Sequence, residues 1–404
     1  MKILAINCGS STLKFQCLEF EGGEAIFGRE SRMAHGIIER IGGKSAIQFI
    51  AQNGHGLSET TAVANHSEAT HRVLKWLDSL GIMGESSLTA AGHRVVHGGG
   101  SFVKPTLIND EVVSEIESNS HLAPLHNEPA LSAIRAAREI LGTDVPQVAV
   151  FDTAFHHSLP ERAARYAIPI ELADKHKIRR YGFHGLAHRY MNERYATIAA
   201  KPIEQTKLIT LQLGNGCSAA AIDGGQSVDT SMGFTPLEGL VMGTRSGDLD
   251  PSLIGFLARH EYVEVGVVEK WLNSKSGLLG VSGHSNDMRE LLDAEAHGNA
   301  SAALAIEIFC YRVRKYLGAY LAVLGGADAI VFGGGIGENS PPVRARICQG
   351  MEWCGLSIDQ QLNSDAIGIE AAVHSKDSII RIFVIPVDEG SIVARDTVRF
   401  LFSR

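Results

Sequence analysis

Two glycine-rich stretches in the second half of the chain have residue types suited to holding a phosphate group. Residues 208–250 contain a Gly214-Asn215-Gly216 turn between two β-favouring runs, and Arg245 and Asp248 lie between glycines further on. Small side chains at such a turn let a ligand meet backbone N–H groups, and an arginine between flexible residues suits an anion. An ordinary β-hairpin with a glycine turn is the more common explanation of the first stretch considered alone.

A third glycine-rich segment lies later in the chain. The run from Gly333 to Asn339 follows a predicted strand, Ala329–Phe332, and precedes a predicted helix that starts near Pro341. Strand, glycine loop and helix in this order form a phosphate-binding arrangement. The segment lacks the Gly-Lys-Ser/Thr of a Walker A loop, and it is not a convincing dinucleotide-binding fingerprint. Near the N-terminus, the turn at residues 7–11 adds hydroxyl and amide groups.

Acids and arginines that could act with these loops are spread along the chain. Asp152 directly follows a predicted buried strand, Val145–Phe151, which is a common position for a ligand-binding acid. A turn or helix-capping aspartate is an equally open alternative for Asp152. Arg94 lies in a predicted strand that ends in glycines. Because phosphoryl transfer depends on positioning and charge neutralisation, these residue types indicate a nucleotide-dependent transfer.

Short strands, glycine turns and helices alternate along the chain and predict an α/β protein. Residues 1–20 and 208–223 share one pattern, an apolar strand, a turn with Gly, Asn and Ser, and a second strand, which predicts a weak internal repeat. Ser67 is the predicted N-cap of the first helix, and Pro129 is predicted to open a helix that ends at Leu141. Residues 21–66 are expected to be irregular with up to two strands, residues 277–289 a loop and residues 300–324 a long helix.

Size and composition favour a soluble two-domain protein. A chain of 404 residues exceeds the usual size of one core, and 45% hydrophobic with 20% charged residues is ordinary for globular proteins. A net charge of −8 argues against nucleic-acid binding, and no apolar run is long enough to span a membrane. The N-terminal apolar run is too short for a signal peptide. The six cysteines form no CxxC pair, which predicts reduced thiols in the cytoplasm and neither disulfides nor zinc.

Nine segments, in order along nearly the whole chain, resemble the motifs of the acetate kinases, the acetokinase family of short-chain carboxylate kinases. They are LAINCGSSTLK, AAGHRVVHGG, FDTAFH, YGFHG, LGNG, GTRSGDLDP, GLLGVSG, GIGENS and PVDEGSIVARDT. The resemblance implies a two-domain, duplicated ribonuclease H-like fold of the sugar kinase, Hsp70 and actin superfamily, with the active site in the cleft between the domains. It implies one domain at residues 1–153 plus 387–404 and a nucleotide-binding domain at residues 154–386.

The same resemblance implies the activity. Family members reversibly transfer the γ-phosphoryl group of ATP to acetate by direct in-line transfer, which gives acetyl phosphate and ADP. The reaction is expected to depend on Mg²⁺, with Mn²⁺ as a possible substitute. A cytoplasmic homodimer without nucleic-acid or membrane partners is expected. No general base is needed, because the carboxylate acceptor is already ionised at neutral pH.

Site residues carry over where this sequence matches the family motifs. Arg94, Asp152, His184 and Arg245 are the implied catalytic residues, and Asn7 and Glu389 are the implied metal ligands, with Asp152 helping to organise the metal. The implied acetate pocket consists of Arg94, Val96, Leu125, Phe183 and Pro236. The implied nucleotide site consists of Ser10, Thr12, Lys14, Leu213, Gly214, Asn215, Gly216, Asp287, Met288, Arg289, Gly335, Ile336, Gly337, Glu338 and Asn339. Taken singly, a solvated lysine, a surface salt bridge or a structural histidine explains several of these positions.

The sequence departs from the family pattern at four places. Gln212 stands where histidine is usual, so a group that can charge is replaced by one that cannot. Gly333-Gly334 replace Thr-Ala, which is expected to loosen the nucleotide loop. Gly390 replaces a second glutamate after Glu389, so the metal assignment to Glu389 depends on the first acid being the ligand. Glu128 stands where proline is usual.

Three alternatives stay open at this stage. A propionate kinase of the same family differs by one methylene in an apolar pocket, which is worth only about 1–3 kcal/mol. A nucleotide-switched binding protein on the same fold would not need Arg94 and Arg245 for a small carboxylate. A hydrolase that uses Asp152, His156 and Ser158 is the third alternative. The sequence lacks the GxSxG elbow that would favour it. The sequence does not fix the physiological direction of the reaction.

Overall fold

The structure is a computed structural model that describes residues 1–21, 30–83 and 88–402, without the side chains of residues 121, 122, 124 and 125. The side chain of Leu125, predicted for the acetate pocket, therefore lies outside the described part. The chain divides into two compact units, Met1–Phe155 with Asp388–Arg404, and His156–Val387. Each unit has its own sheet. None of the described helices combines the length and apolar character that a membrane span requires.

The first unit is built on an eight-stranded sheet. Its strands are β1 (Lys2–Cys8), β2 (Thr12–Phe20), β3 (Glu30–Glu39), β4 (Gly43–Ala51), β5 (Gly56–Val63), β6 (Ala90–Val95), β7 (Thr106–Leu107) and β8 (Gln147–Phe151). Their order across the sheet is β5-β4-β3-β2-β1-β6-β8-β7. Strands β1 to β5 form an antiparallel meander, whereas β6 runs parallel to both β1 and β8.

The second unit is built on a six-stranded sheet. Its strands are β9 (Lys207–Leu213), β10 (Cys217–Asp223), β11 (Gln226–Thr230), β12 (Ala329–Gly333), β13 (Ala371–Ala372) and β14 (Arg381–Val384). Their order is β11-β10-β9-β12-β14-β13. Strands β9 to β11 are antiparallel, and β12 runs parallel to both β9 and β14.

The two sheets share one topology. The order β3-β2-β1-β6-β8 in the first unit matches β11-β10-β9-β12-β14 in the second, with three antiparallel strands followed by two parallel ones. The repeat predicted from residues 1–20 and 208–223 is therefore the start of a duplicated five-stranded arrangement. The predicted α/β class and the duplicated fold are confirmed.

Helices cover the sheets. In the first unit they are α1 (His66–Ser79), α2 (Asp110–Ser118), α3 (Pro124–Leu141) and α15 (Glu389–Phe402). In the second unit they are α4 (Glu161–Ala164), α5 (Ile170–Lys175), α6 (Gly185–Ala199), α7 (Ser252–His260), α8 (Val265–Ser274), α9 (Gly277–Ser282), α10 (Met288–Ala296), α11 (Ala300–Leu324), α12 (Gly334–Asn339), α13 (Pro341–Cys348) and α14 (Gln360–Asp365). Short 3₁₀ turns occur at Asn119–Leu122, Asp152–Ser158, Ile203–Gln205 and Glu352–Cys354.

A glycine in β6 controls how closely the C-terminal helix approaches the first sheet. A Cβ on Gly92 would lie 2.3 Å from Oγ1 of Thr397 and 2.7 Å from a methyl of Val393, both on α15. The helix therefore packs directly on the backbone of β6, and a larger residue would push it away. Since α15 begins at Glu389, this contact fixes where that carboxylate stands.

Several sequence-based details were wrong. Helix α1 is capped by Asn65, whose Oδ1 accepts the N–H of Glu68 at 2.9 Å, so Ser67 is a helical residue. Helix α3 begins at Pro124, the position at which a missing N–H costs nothing, and Pro129 lies inside it. Three strands, β3 to β5, lie between Glu30 and Val63, where at most two were predicted. In β4, alternate residues are buried, as in a strand with one face on the core. The glycine segments after residues 276 and 333 are short helices, α9 and α12, rather than loops.

Replacing the observed cap of α1 tests this assignment. An Asn65→Ala variant leaves the Glu68 N–H without its acceptor and should lower the free energy of unfolding by about 0.5–2 kcal/mol. Ser67→Ala, two residues away, should change it by less than about 0.5 kcal/mol. Urea unfolding followed by circular dichroism compares the two variants. A larger loss for Ser67→Ala would mean that the helix starts later than described.

Candidate active site

Strand register brings three predicted residues together in the first unit. Asn7, near the end of β1, pairs with Lys14 on β2 and with Arg94 on β6. Residues paired across neighbouring strands lie on the same face of a sheet. Asp152 follows directly after β8, the strand beside β6, and is fully buried. The ends of four neighbouring strands therefore supply these side chains.

Arg94 is the centre of a hydrogen-bonded network. Its Nη2 and Nε donate to Oδ2 and Oδ1 of Asp152 at 2.5 and 3.2 Å, as a two-pronged contact. Its Nη1 lies 3.1 Å from Oε2 of Glu389 and donates to Oδ1 of Asn7 at 3.0 Å. The Asn7 amide in turn donates to Oε2 of Glu389 at 2.8 Å. The geometry fixes all four side chains relative to each other.

The charge balance of this network explains why it is stable although it is buried. Burial alone opposes the charge of Arg94, but Asp152 and Glu389 outweigh it and raise the pKa of Arg94 above the usual arginine value. Only 14% of the Arg94 side chain and 1% of the Asp152 side chain are exposed. Removing one partner of such a buried pair costs about 3–5 kcal/mol because the other charge is left uncompensated.

The oxygen atoms of Asp152, Glu389 and Asn7 are the kind of ligand that Mg²⁺ prefers. Magnesium binds through one or two carboxylates and completes its shell with water and substrate phosphates. Among the residues that the structure describes, no group of three or more His, Cys, Asp or Glu side chains could hold a metal by itself. The donor set fits a metal that arrives with a phosphate ligand.

The remaining residues predicted for phosphate binding in this unit lie in and after the first hairpin turn. Ser10 and Lys14 are exposed, and Thr12 is half-buried. The N–H of Gly9 donates to the carbonyl of Thr12 at 2.9 Å and closes the turn. Nε2 of His66 lies 2.9 Å from the Gly9 carbonyl, so α1 fixes the turn on the sheet.

The equivalent register position in the second unit is held by Gln212. It pairs with Ser218 on β10 and with Gly333 on β12, as Asn7 pairs with Lys14 and Arg94. The second unit thus carries an amide, a hydroxyl and a glycine where the first carries an amide and two cations. Oε1 of Gln212 is buried and accepts no hydrogen bond from the described residues.

His184 stands where helix α6 begins. Its backbone is left-handed, with φ of 57°, a conformation that costs about 1–3 kcal/mol in a residue other than glycine. Nδ1 of His184 lies 2.8 Å from Oγ of Ser218. Nε2 of buried His156 donates to the carbonyl of Phe183 at 3.0 Å. Both the ring and the preceding peptide of His184 are therefore held.

Arg245 lies beside His184 and has no acidic partner in the described part of the chain. Its Nη1 donates to the carbonyl of Pro236 at 3.1 Å and contacts Sδ of Met242 at 3.6 Å. A Cβ on Gly216 would lie 3.4 Å from Nε2 of His184 and 3.7 Å from Nη1 of Arg245. Burial lowers the pKa of Arg245 from its usual value, with an opposing effect of Cys217. An imidazole and a guanidinium thus flank one glycine, as an anion site requires.

A cavity of about 530 Å³ adjoins the Gly214-Asn215 turn. Eight residues predicted for the nucleotide line it, with Asn286, Leu292, Ser340 and Pro342 as further lining residues: Gly214, Asn215, Asp287, Met288, Arg289, Gly335, Ile336 and Asn339. The mixture of apolar side chains and a few polar groups suits a small-molecule ligand. Leu213, Gly216, Gly337 and Glu338 are outside this lining.

Glu338 holds the loop in place instead of facing the cavity. Its Oε1 accepts the N–H of Gly334 at 2.8 Å and that of Val387 at 3.0 Å. Gly334 has φ of +74°, and a Cβ there would lie 2.6 Å from the Leu213 carbonyl. Gly334 therefore suits the close approach of α12 to β9, and this segment is a helix held by Glu338 rather than an open loop.

The residues predicted for the acetate pocket are divided between the units. Val96 is buried in the first unit, at the end of β6. Phe183 is buried in the second unit, and Pro236 is in contact with Arg245 through its carbonyl. Pro236 belongs to a segment that Arg180 fixes, since Nη1 of Arg180 donates to the carbonyls of Thr230, Ser231 and Met232 at 3.1 to 3.2 Å.

Sequence reasoning missed the residues that support His184. Ser218, Thr210 and His188 surround it and are all fully buried. His188 follows His184 by one helical turn, and this spacing was the one available signal. Asn286 was also missed, although its Nδ2 donates to Oδ1 of Asn215 at 3.0 Å.

The topology and these two sites define a class first. Two units with the same order of five strands, one with a nucleotide-sized cavity, belong to the duplicated ribonuclease H-like fold. The acetokinase family model matches residues 2–395. The chain belongs to the acetokinase family, so the predicted membership is confirmed.

Individual relatives agree with the family assignment. The acetate kinase of Solibacter usitatus is 50% identical over 405 residues, which cover 99% of this chain and 98% of the relative. The crystal structure of Porphyromonas gingivalis acetate kinase superposes with a TM-score of 0.89 at 39% identity and covers 99% of each chain. A propionate kinase from Francisella tularensis also has a TM-score of 0.89, at 40% identity over 98% of each chain.

The buried histidines predict how stability depends on pH. Burial lowers the pKa of His156 to about 4, against about 6.5 in an unfolded chain. As pH falls below about 6.5, the unfolded state binds a proton that folded His156 excludes, so stability decreases towards pH 4. His156→Gln should weaken the fall of the urea midpoint between pH 7 and 5, because glutamine does not titrate. His55→Gln, in an exposed turn, is the control. An unchanged slope in His156→Gln would contradict the buried neutral state.

Proposed function

We propose that this chain catalyses the reversible transfer of the γ-phosphoryl group of ATP to acetate, as an acetate kinase. The observation that carries the proposal is the pair His184 and Arg245 at Gly216, where an imidazole and a guanidinium lie within 4 Å of one backbone position. Arginine stays charged at all relevant pH values and matches carboxylate and phosphoryl oxygens. Because the chain belongs to the acetokinase family, the anions expected at this position are the substrates of a carboxylate kinase.

The second unit is proposed to bind the nucleotide, within a domain of residues 154–386. The apolar side chains of the cavity, such as Ile336 and Met288, would contact the base, and the turn at Gly214 would meet phosphates with its N–H groups. Arg289 is exposed and paired with Asp287 at 2.6 Å, so it would act at the rim. Ser10, Thr12 and Lys14 would contact phosphates from the domain formed by residues 1–153 and 387–404.

Arg94 and Arg245 are proposed to hold the acetate carboxylate and the moving phosphoryl group. Val96, Phe183 and Pro236, with Leu125, would surround the methyl group. A Mg²⁺ ion, for which Mn²⁺ could substitute, would be held by Asn7 and Glu389 with support from Asp152. The metal would supply neutralisation of charge on the phosphate oxygens. The acids that pair with Arg94 thus keep this end of the site rigid before substrate binds.

The proposed reaction needs no covalent enzyme intermediate. A carboxylate oxygen of acetate attacks the γ-phosphorus in line, the bond to the β,γ-bridging oxygen breaks, and ADP leaves. His184 would donate a hydrogen bond to an oxygen of the phosphoryl group, and Arg245 would neutralise the charge on it. Because acetate is already an anion, Asp152 is free to pair with Arg94.

Propionate is the second candidate acceptor. The solved propionate kinase of Francisella tularensis is as similar in structure as the acetate kinase compared above. One methylene in an apolar pocket changes specificity by only about 1–3 kcal/mol. We propose acetate because the curated relatives at 45 to 50% identity carry that activity in their names. A homodimer in the cytoplasm is part of this proposal.

Trapping of acyl phosphate tests the proposed reaction. The protein is incubated with ATP, Mg²⁺ and acetate, propionate or butyrate, and hydroxylamine converts any acyl phosphate to a hydroxamate. Acetate should give the highest kcat/KM. No hydroxamate with any of the three acids would refute the kinase assignment, and a preference for propionate would support the second candidate.

A substitution of Arg245 distinguishes a role in catalysis from a role in ATP binding. Arg245→Ala should lower kcat by about 10³-fold, comparable to the loss of one anion-stabilising donor, while Kd for ATP changes by less than about threefold. Arg289→Ala, at the rim of the cavity, should instead raise the KM for ATP with a smaller effect on kcat. Steady-state kinetics and calorimetric ATP titration separate the two effects. Equal loss of ATP affinity in Arg245→Ala would place that arginine at the nucleotide instead.

A further inference from the structure

A chain of hydrogen bonds leads from the interior of the second unit to His184. Oγ of Ser218 lies 2.8 Å from Nδ1 of His184 and 2.8 Å from Nε2 of His188. Nδ1 of His188 lies 2.7 Å from Oγ1 of Thr210. Ser218, His188 and Thr210 are fully buried, on β10, α6 and β9. The four side chains form one uninterrupted relay.

The number of hydrogens in this relay restricts its direction. The hydroxyl of Ser218 has one hydrogen and can donate to only one of its two imidazole partners, so the other imidazole must donate to it. Burial lowers the pKa of His188 well below its usual value, so His188 carries one ring hydrogen. Only two arrangements remain: the hydrogens point from Thr210 towards His184, or from His184 towards Thr210.

The inner end of the relay distinguishes the two arrangements. Among the described residues, no acceptor other than His188 lies within hydrogen-bond distance of Oγ1 of Thr210. If the hydrogens pointed inward, the Thr210 hydroxyl would be a buried donor without an acceptor, at a cost of about 1–3 kcal/mol. If they point outward, Thr210 donates to His188, His188 to Ser218, and Ser218 to His184. Every hydrogen in the relay then has an acceptor.

We propose that Ser218, His188 and Thr210 are positioning residues that place the single hydrogen of neutral His184 on Nε2. Donation from Ser218 occupies the lone pair of Nδ1, so the ring hydrogen stands on the nitrogen nearest Gly216 and Arg245. A hydrogen at this atom can be donated to an anion, whereas a lone pair there would repel one. The kinetic consequence rests on the proposed function, and the hydrogen placement does not.

A second buried histidine supports the same residue from the backbone. His156 touches the Phe183 carbonyl with Nε2, and a carbonyl can only accept, so the hydrogen of His156 is on Nε2. Nδ1 of His156 accordingly accepts from Oγ of Ser227 at 2.7 Å. Ser227 is as buried as Ser218 but lies outside the relay. It therefore provides a matched control.

Nitrogen NMR of protein labelled at histidine tests hydrogen placement directly. In the wild-type protein at neutral pH, the His184 signal, assigned by its loss in His184→Gln, should show an unprotonated Nδ1 and a protonated Nε2. A protonated Nδ1 would overturn the proposal, whether or not the chain makes acyl phosphate. The hydrogen placement is read from the wild-type protein, and the His184→Gln variant serves only to assign the signal.

Kinetics of Ser218→Ala test the positioning role. This variant should lower kcat about tenfold or more with the KM for ATP within about twofold, and its His184 nitrogens should shift towards an average of two tautomers. Ser227→Ala, which removes an equally buried hydroxyl, should leave kcat and the His184 signals unchanged. Equal kcat values for the two variants would overturn the positioning role of Ser218.

Discussion

The pairing register of the central strands is the constraint on which both sites depend. In each unit the first strand lies between an antiparallel and a parallel neighbour, so one residue near its end has a partner on either side. Asn7 meets Lys14 and Arg94 in this way, and Gln212 meets Ser218 and Gly333. A shift of one residue in either strand would turn these side chains to the opposite face. The glycines at positions 92 and 334 allow α15 and α12 to approach these strands closely.

The two arginines predicted to be catalytic, one in each unit, have opposite electrostatic surroundings. Arg94 is held by Asp152 and Glu389, which make its buried charge stable before any ligand binds. Arg245 contacts only a carbonyl and a sulfur among the described residues, so its charge lacks an anionic partner. A buried charge without a counter-ion is costly, and an anionic substrate would relieve that cost. The charge of Arg94 is therefore balanced within the first unit, whereas the charge of Arg245 is available to an anion.

Much of the fold could be predicted because its signals are local, whereas the site residues follow from the family resemblance and stay predictions. The hairpins at residues 2–20 and 207–223, the long helix α11 and the glycine turns have strong patterns of period and composition. The cap of α1 and the start of α3 were predicted wrongly, because several adjacent residues there are acceptable at a helix terminus. The hydrogen bond from Val387 to Glu338 and the relay through Ser218 depend on contacts between residues distant in sequence. Only His188, one turn after His184, left a trace in the sequence.

An oxygen-labelling measurement tests the central claim that the acceptor carboxylate itself takes the phosphoryl group. Acetate labelled with ¹⁸O in both carboxyl positions is converted with ATP and Mg²⁺, and hydroxylamine then attacks the acyl carbon and releases inorganic phosphate. If an acetate oxygen attacks the γ-phosphorus, each released phosphate carries one ¹⁸O atom from acetate, which mass spectrometry detects. Phosphate without ¹⁸O would mean that the phosphoryl group was transferred to another acceptor, such as water, and would contradict the account.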